Sequence, residues 1–305
     1  MVKIGAALPV AGSDISAEGL AAVAEGAERM GLGSVWTYER LLRPTEPIPM
    51  GGPGGPVMDP PPDWANVYDP IEALTYVAAK TERILLGTSV LAALFHAPVV
   101  LARRLATLDH LSGGRLLAGV GQSWMAQEFA STGVPMRRRG AGFEEHLEVM
   151  RAVWGSNPVH YEGRFYQVPE CEIGPKPVGP DGPAVLVGAA APAAAERAGR
   201  LGLGLALVVF SWDAMRETVS TFRNAAAAAG HDPDRLPLTV QVNGAVSTDR
   251  AVDDRAPLTG AVEQVADDLV ELDRLGVDHV FWAMLDPAEQ LDILGQLNAA
   301  YAGRR

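Results

Sequence analysis

The chain repeats one pattern over most of its length: a short apolar, partly β-branched run, then a stretch with apolar residues at helical spacing. The runs are Lys3 to Leu8, Ser34 to Tyr38, Ile84 to Leu91, Leu116 to Gly121, Ala184 to Gly188, Leu205 to Val209, Leu238 to Val242 and Val280 to Met284. Strands with this little alternation are buried on both faces, which requires a parallel sheet covered by helices. Eight such units in 305 residues predict an α/β protein of the (β/α)8 barrel type. An open doubly wound sheet fits less well, because no Gly-x-Gly-x-x-Gly follows the first strand.

Helix signals support this reading. Ser16 caps a helix carrying Leu20, Val23, Ala27 and Met30, and Gly31 stops it. Asp69-Pro70-Ile71-Glu72 is an N-cap, a proline at the first helical position and a glutamate placed to close a capping box. Thr259 is expected to cap the helix of Val262, Val265, Leu269 and Leu272, and Asp286-Pro287-Ala288-Glu289 to open the last one. Two segments depart from the repeat. The thirty residues after the second strand hold eight prolines and four glycines, so Leu41 to Asp69 reads as a long loop without regular elements, expected over the barrel mouth. Val159 to Val168 reads as a β-hairpin inserted before the fifth strand.

No linker, repeat or charge run divides the chain, so residues 1–305 are expected to be one domain. A net charge of −12 argues against a nucleic-acid surface; the only dense basic cluster, Arg137-Arg138-Arg139, reads as a solvated loop. The longest apolar run, Leu201 to Phe210, is far short of the ~20 residues of a membrane helix. The start of the chain, MVKIGAALPVAG, reads as a first strand rather than a signal peptide, which makes the cytoplasm the expected location. Cys171 is alone, in what reads as a proline-rich connection, and is expected to be inert. Neither metal-ligand spacing nor a Gly-x-Ser-x-Gly elbow is present.

Chemistry is expected at the carboxyl ends of the strands. There the chain carries Gly87-Thr88-Ser89-Val90-Leu91, then Phe95-His96-Ala97-Pro98, the run from Leu101 to Arg115 (LARRLATLDHLSGGR), and Gly119-Val120-Gly121-Gln122-Ser123-Trp124. In this order and spacing these motifs resemble the luciferase-like flavin or deazaflavin oxidoreductases, most closely the branch that uses coenzyme F420. The resemblance implies F420, or alternatively FMN, as cofactor, a small organic substrate, and a homodimer. It implies a non-proline cis peptide between Ser89 and Val90 beneath the cofactor ring, with Gly121 letting the ring approach, Trp124 walling the pocket and Gln127 offering a polar contact. Glu39-Arg40 stands where many relatives have Asp-His; arginine cannot be a general acid near neutral pH, but it can hold an anionic ring edge or a carboxylate. Gly188-Ala189-Ala190-Ala191 leads into a helix whose first amides can seat a phosphate, though relatives usually carry Gly-Gly there. Gly202-Leu203-Gly204-Leu205 also lacks a familiar acidic residue, which is expected to affect cofactor affinity. His96 is the histidine best placed to reach the site; His110, His146 and His279 are expected to be structural. The implied activity is hydride transfer between F420 and an organic substrate. FMN-dependent monooxygenation and a non-catalytic ligand-binding barrel are the alternatives.

Overall fold

The computed structural model describes residues 1–52, 54–180, 182–208, 211–248, 251 and 253–304. Its barrel strands are β1 (Lys3–Ala7), β2 (Ser34–Thr37), β3 (Leu85–Thr88), β4 (Leu116–Gly121), β5 (Ala184–Ala189), β6 (Gly204–Val208), β7 (Leu238–Val242) and β8 (His279–Trp282). Each is parallel to its neighbours in chain order, and β8 returns to β1, with Lys3 opposite His279 and Ala6 opposite Trp282. The expected closed barrel is therefore present. Val209, the expected end of the sixth strand, lies outside the described residues. The third apolar run is interrupted: after β3 the chain bulges at Ser89-Val90 and resumes as Leu91–Ala92, paired with Val120 and Gly121 of β4.

Alternation along the strands separates two cores. Trp36, Leu117, Leu186, Ala206 and Phe281 fill the barrel, whereas Val35, Leu86, Ala118, Val187, Leu205, Val240 and Val280 belong to the larger core shared with the helices. Trp36 occupies much of the interior, stacked on Phe281 at 4.9 Å between ring centroids. Gly5 and Gly87 make room for it, because a Cβ at either would collide with the indole. Its Nε1 donates to Ser34 Oγ (2.8 Å), which bonds His279 Nδ1 (2.9 Å). Burial holds the His279 pKa down to about 4, so the ring is neutral and structural, as expected.

Nine α-helices appear among the described residues: α1 (Ala17–Arg29), α2 (Pro70–Ala78), α3 (Pro98–Ser112), α4 (Ala126–Thr132), α5 (Ala141–Trp154), α6 (Pro192–Arg200), α7 (Trp212–Ala228), α8 (Val262–Arg274) and α9 (Gln290–Ala302). None is long and apolar enough to cross a membrane. Ser16 caps α1 by accepting from Gly19 N–H (3.0 Å). Asp69 caps α2, but Glu72 does not close the box; its carboxylate binds Arg104 of α3 instead (2.5 Å). Thr259 is not the cap of α8. Its hydroxyl donates to Ala256 carbonyl (2.8 Å), residues 260–261 pair with Val246–Ser247, and Gln264 accepts the Ala261 N–H (3.1 Å). Asp286 caps a turn ahead of α9, accepting from Ala288 N–H (2.8 Å).

The long loop is more built than its composition suggests. Ile48–Pro49 pairs antiparallel with Val57–Met58, and Pro62–Ala65 forms a 3₁₀ turn. The inserted hairpin pairs Val159–Glu162 with Gln167–Cys171, so Cys171 lies on a strand and not in the connection. At the barrel base, Arg115 is 8% exposed and its guanidinium is fully committed. It donates to the carbonyls of Ser112 (2.6 Å), Ile84 (3.0 Å), Ala78 (2.9 Å) and Thr81 (2.9 Å), and to the Thr81 hydroxyl (2.8 Å).

Candidate active site

At the mouth, the Ser89-Val90 peptide is cis, as the resemblance implies. Ser89 is held on both sides: its N–H donates to Thr37 carbonyl (2.7 Å) and its hydroxyl to Gln241 Oε1 (2.9 Å). Val90 then projects toward β4 and β5. A Cβ added at Gly121 or Gly188 would lie 2.7 Å or 3.1 Å from a Val90 methyl. Gly121 and Gly188 therefore make room for the Val90 side chain. The floor of the mouth is the Val90 side chain, half-buried and seated on backbone.

Glu39 and Arg40 follow β2, adjacent in sequence yet turned to different partners. Glu39, 8% exposed, places Oε1 2.7 Å from His96 Nε2 and accepts the Ala92 N–H at Oε2 (2.6 Å). Both oxygens are used, so Glu39 orients His96 and the turn after β3. The His96 carbonyl bonds His146 Nε2 (3.1 Å) from α5. His146 is fully buried and its pKa is held down to about 4 by that burial, so it is a neutral donor supporting the His96 loop. His110 bonds the Lys176 carbonyl (2.6 Å), away from the mouth.

Arg40 Nη1 lies 3.0 Å from Glu128 Oε2. Glu128 is 2% exposed and also accepts the Leu41 N–H (2.9 Å) and the Ser123 hydroxyl (3.1 Å). Ser123 reaches it from a left-handed backbone, φ 55°. The Arg40 guanidinium is 4.3 Å from the Trp64 ring centroid and 5.4 Å from that of Trp124, and the two indoles meet edge to face at 6.4 Å. Arg40 Nε is buried and has no hydrogen-bond partner. Trp64 comes from the long loop, which therefore lies against the mouth at this point. Gln127, singled out from sequence, is exposed; its neighbour Glu128 is the residue that turns inward. No signal in the sequence distinguished the two, because consecutive positions on a short helix differ by about 100° in direction.

Across the barrel, Gly188 is half-buried, Ala189 buried, and Ala190 and Ala191 exposed where β5 enters α6. Ala191 is the N-cap and offers no side-chain cap, so amides at this end have no partner from the helix ladder. Gly202-Leu203 lies elsewhere. Gly202, at φ 61°, follows the end of α6, and Leu203 is buried immediately before β6. An acidic residue there would stand at the barrel base, so Leu203 removes nothing from the mouth.

Comparison with known proteins gives the family and supports the barrel fold. A profile of the luciferase-like monooxygenase family matches residues 3–256. The chain belongs to this family. An uncharacterised protein of Mycobacterium tuberculosis is 43% identical over 127 residues, 42% of this chain and 45% of that protein, so the chain spans about half the length of such relatives. The F420-dependent glucose-6-phosphate dehydrogenase of Mycobacterium leprae is 30% identical over 245 residues, covering 73% of this chain and 72% of that enzyme. The crystal structure of monooxygenase RslO1 from Streptomyces bottropensis covers 99% of this chain and 100% of that one at a TM-score of 0.80 and 24% identity, which speaks for the fold.

Proposed function

We propose that this luciferase-like protein is an oxidoreductase that binds coenzyme F420 at the barrel mouth and passes a hydride between the deazaflavin and a small organic substrate. The observation carrying this reading is Arg40. A guanidinium whose Nε is buried without a partner, walled by two indoles, calls for a flat ligand with an electron-rich polar edge. A deazaflavin meets that description, and a relative matched over 73% of this chain is F420-dependent by name.

When bound, the cofactor supplies the hydride chemistry. The chain supplies binding and protons. In this reading Ser89, Val90, Gly121 and Gly188 form the floor under the ring, and Trp124 with Trp64 walls it. Gln127 lies at the rim. The amides from Ala189 to Ala191 seat the phosphate, for which side chains are not required. Arg40 faces the anionic edge, held there by Glu128. His96 donates Nε2–H to Glu39 Oε1 at 2.7 Å, which fixes its tautomer and leaves Nδ1 to take up or release a proton; it is the candidate acid or base, the role Arg40 cannot fill. We further place the protein in the cytoplasm, as one domain that pairs into a homodimer; light scattering giving a monomer mass at micromolar concentration would remove the last point.

Titration with oxidised and reduced F420 and FMN, followed by turnover on alcohols and sugar phosphates, tests the reading. Saturable F420 binding with hydride transfer supports it. Binding of FMN alone with oxygen consumption would replace it by flavin monooxygenation, and binding of neither by a non-catalytic barrel.

A further inference from the structure

The arginine triplet read from sequence as a solvated loop is only partly solvated. It lies just before α5, and Arg138 places its guanidinium 4.5 Å from the Phe165 ring and 4.9 Å from that of Tyr166, at the tip of the inserted hairpin. Its Nη2 donates to the Phe165 carbonyl (3.4 Å), and its Nη1 is buried with no partner. Arg164, on the same tip, is exposed and 4.9 Å from the Phe165 ring, which brings it alongside the triplet; Arg137 and Arg139 are exposed as well.

The nearby carboxylates are committed elsewhere. Glu145 accepts the backbone N–H groups of Arg164 (3.1 Å), Phe165 (2.7 Å) and Tyr166 (2.7 Å), which fixes the hairpin tip. Glu144 binds Arg197 (2.9 Å) and Arg200 (2.8 Å), and Glu148 accepts the Tyr161 hydroxyl (2.6 Å). Among the ion pairs of the described residues, none neutralises Arg137, Arg138, Arg139 or Arg164. On a chain of net charge −12 this is a local reversal of sign. The cluster also borders the mouth. Gly140 N–H, two residues past Arg138, donates to the side chain of Gln122, which follows the last residue of β4.

We propose that Arg137, Arg138, Arg139 and Arg164 form a rim subsite for a polyanionic group, carboxylate or phosphate, carried by the molecule whose ring or reacting carbon occupies the mouth. Guanidinium groups match both anions with paired hydrogen bonds, and Arg138 is already ordered by stacking, so little freedom is lost on binding. The anion has two sources: the glutamate carboxylates of the deazaflavin tail, beyond the phosphate seated at α6, or the phosphate of a substrate. The inference rests on the F420 reading only for its first probe.

The test is the full chain carrying Arg137→Glu, Arg139→Glu and Arg164→Glu, all at exposed positions, compared with wild type. Dissociation constants are measured for F420, its tail-free deazaflavin chromophore, glucose 6-phosphate and a tetraglutamate peptide, each at low and high salt. The expected result is F420 binding weakened by about tenfold or more in the variant and by salt, with the chromophore unaffected. Weakening confined to glucose 6-phosphate also supports the subsite and assigns the anion to the substrate. If wild type binds no deazaflavin, the F420 reading fails, and the peptide and sugar-phosphate arms still decide the subsite. Equal affinities of variant and wild type for every anionic probe would overturn it. Arg164→Gln, which leaves the triplet intact, is expected to give a smaller loss of the same kind.

Discussion

Two arginines of similar burial mark opposite ends of the barrel. Arg115, at the base, is 8% exposed and donates to four carbonyls and a hydroxyl. Arg40, at the mouth, has a side chain 12% exposed, one carboxylate partner and a buried Nε with none. A fully satisfied guanidinium has nothing left for a ligand and acts as a structural tie. A partly satisfied one, pinned by Glu128 and two indoles, is the arginine that the proposed function turns toward a ligand. Burial alone therefore does not separate the two arginines; the number of partners each guanidinium has does.

The largest expected effect lies at the base. Arg115→Met leaves four carbonyls without that donor, each costing about 1–3 kcal/mol if buried unpaired, so a stability loss on the order of 4 kcal/mol is expected in urea unfolding. Cofactor affinity of the folded fraction should not change. A stable Arg115→Met protein would mean that the base carbonyls find other partners and that the contrast between the two arginines is overstated.

Acid tests both ends together. His279 in the base and His146 behind the mouth are held to about 4, below the ordinary histidine value. The unfolded chain therefore takes up protons first as pH falls. Their contribution is present above about pH 6.5 and is lost down to about pH 4, up to about 3 kcal/mol for each ring. Urea unfolding at neutral and acid pH should show this loss, and His279→Gln should reduce it by about half. A pH-independent stability over that window would show that neither ring is held neutral.

The Glu39–His96 pair carries a prediction of function rather than of stability. His96→Gln or Glu39→Gln is expected to lower kcat by about 10²-fold, the usual weight of a general acid or base, and to alter the pH profile. An unchanged kcat with an unchanged profile would return the pair to a structural role in the turn after β3. Opposite it, Ala190→Asp should weaken cofactor binding by about 1–3 kcal/mol through repulsion of a phosphate at the start of α6, read by titration. Full affinity in that variant would move the phosphate away from β5.

The periodic parts of the chain were legible because periodicity reports burial. All eight strands and the Ser16 cap fall where apolar spacing and capping chemistry place them. The Ser89-Val90 bulge was legible only through resemblance, since nothing in those two residues alone demands it. What escaped is set by contacts distant in sequence. Glu128 belongs to the site because Arg40, 88 positions earlier, meets it, and a one-residue choice between it and Gln127 turns on the rotation of a seven-residue helix. The same applies to Glu72, whose partner Arg104 lies on the neighbouring helix.

On the proposed function, Arg40 is the ligand-facing arginine of an F420-binding mouth. The most direct test of this claim is the F420 binding isotherm of wild type, Arg40→Lys and Arg115→Lys measured side by side with their unfolding curves. Lysine keeps the charge toward Glu128 but loses the planar donor and much of the stacking on Trp64, so Arg40→Lys should bind F420 about tenfold more weakly at nearly unchanged stability. Arg115→Lys should be markedly less stable and bind F420 as wild type does. Equal affinity for F420 in wild type and Arg40→Lys, or saturable binding by none of the three, would contradict the claim.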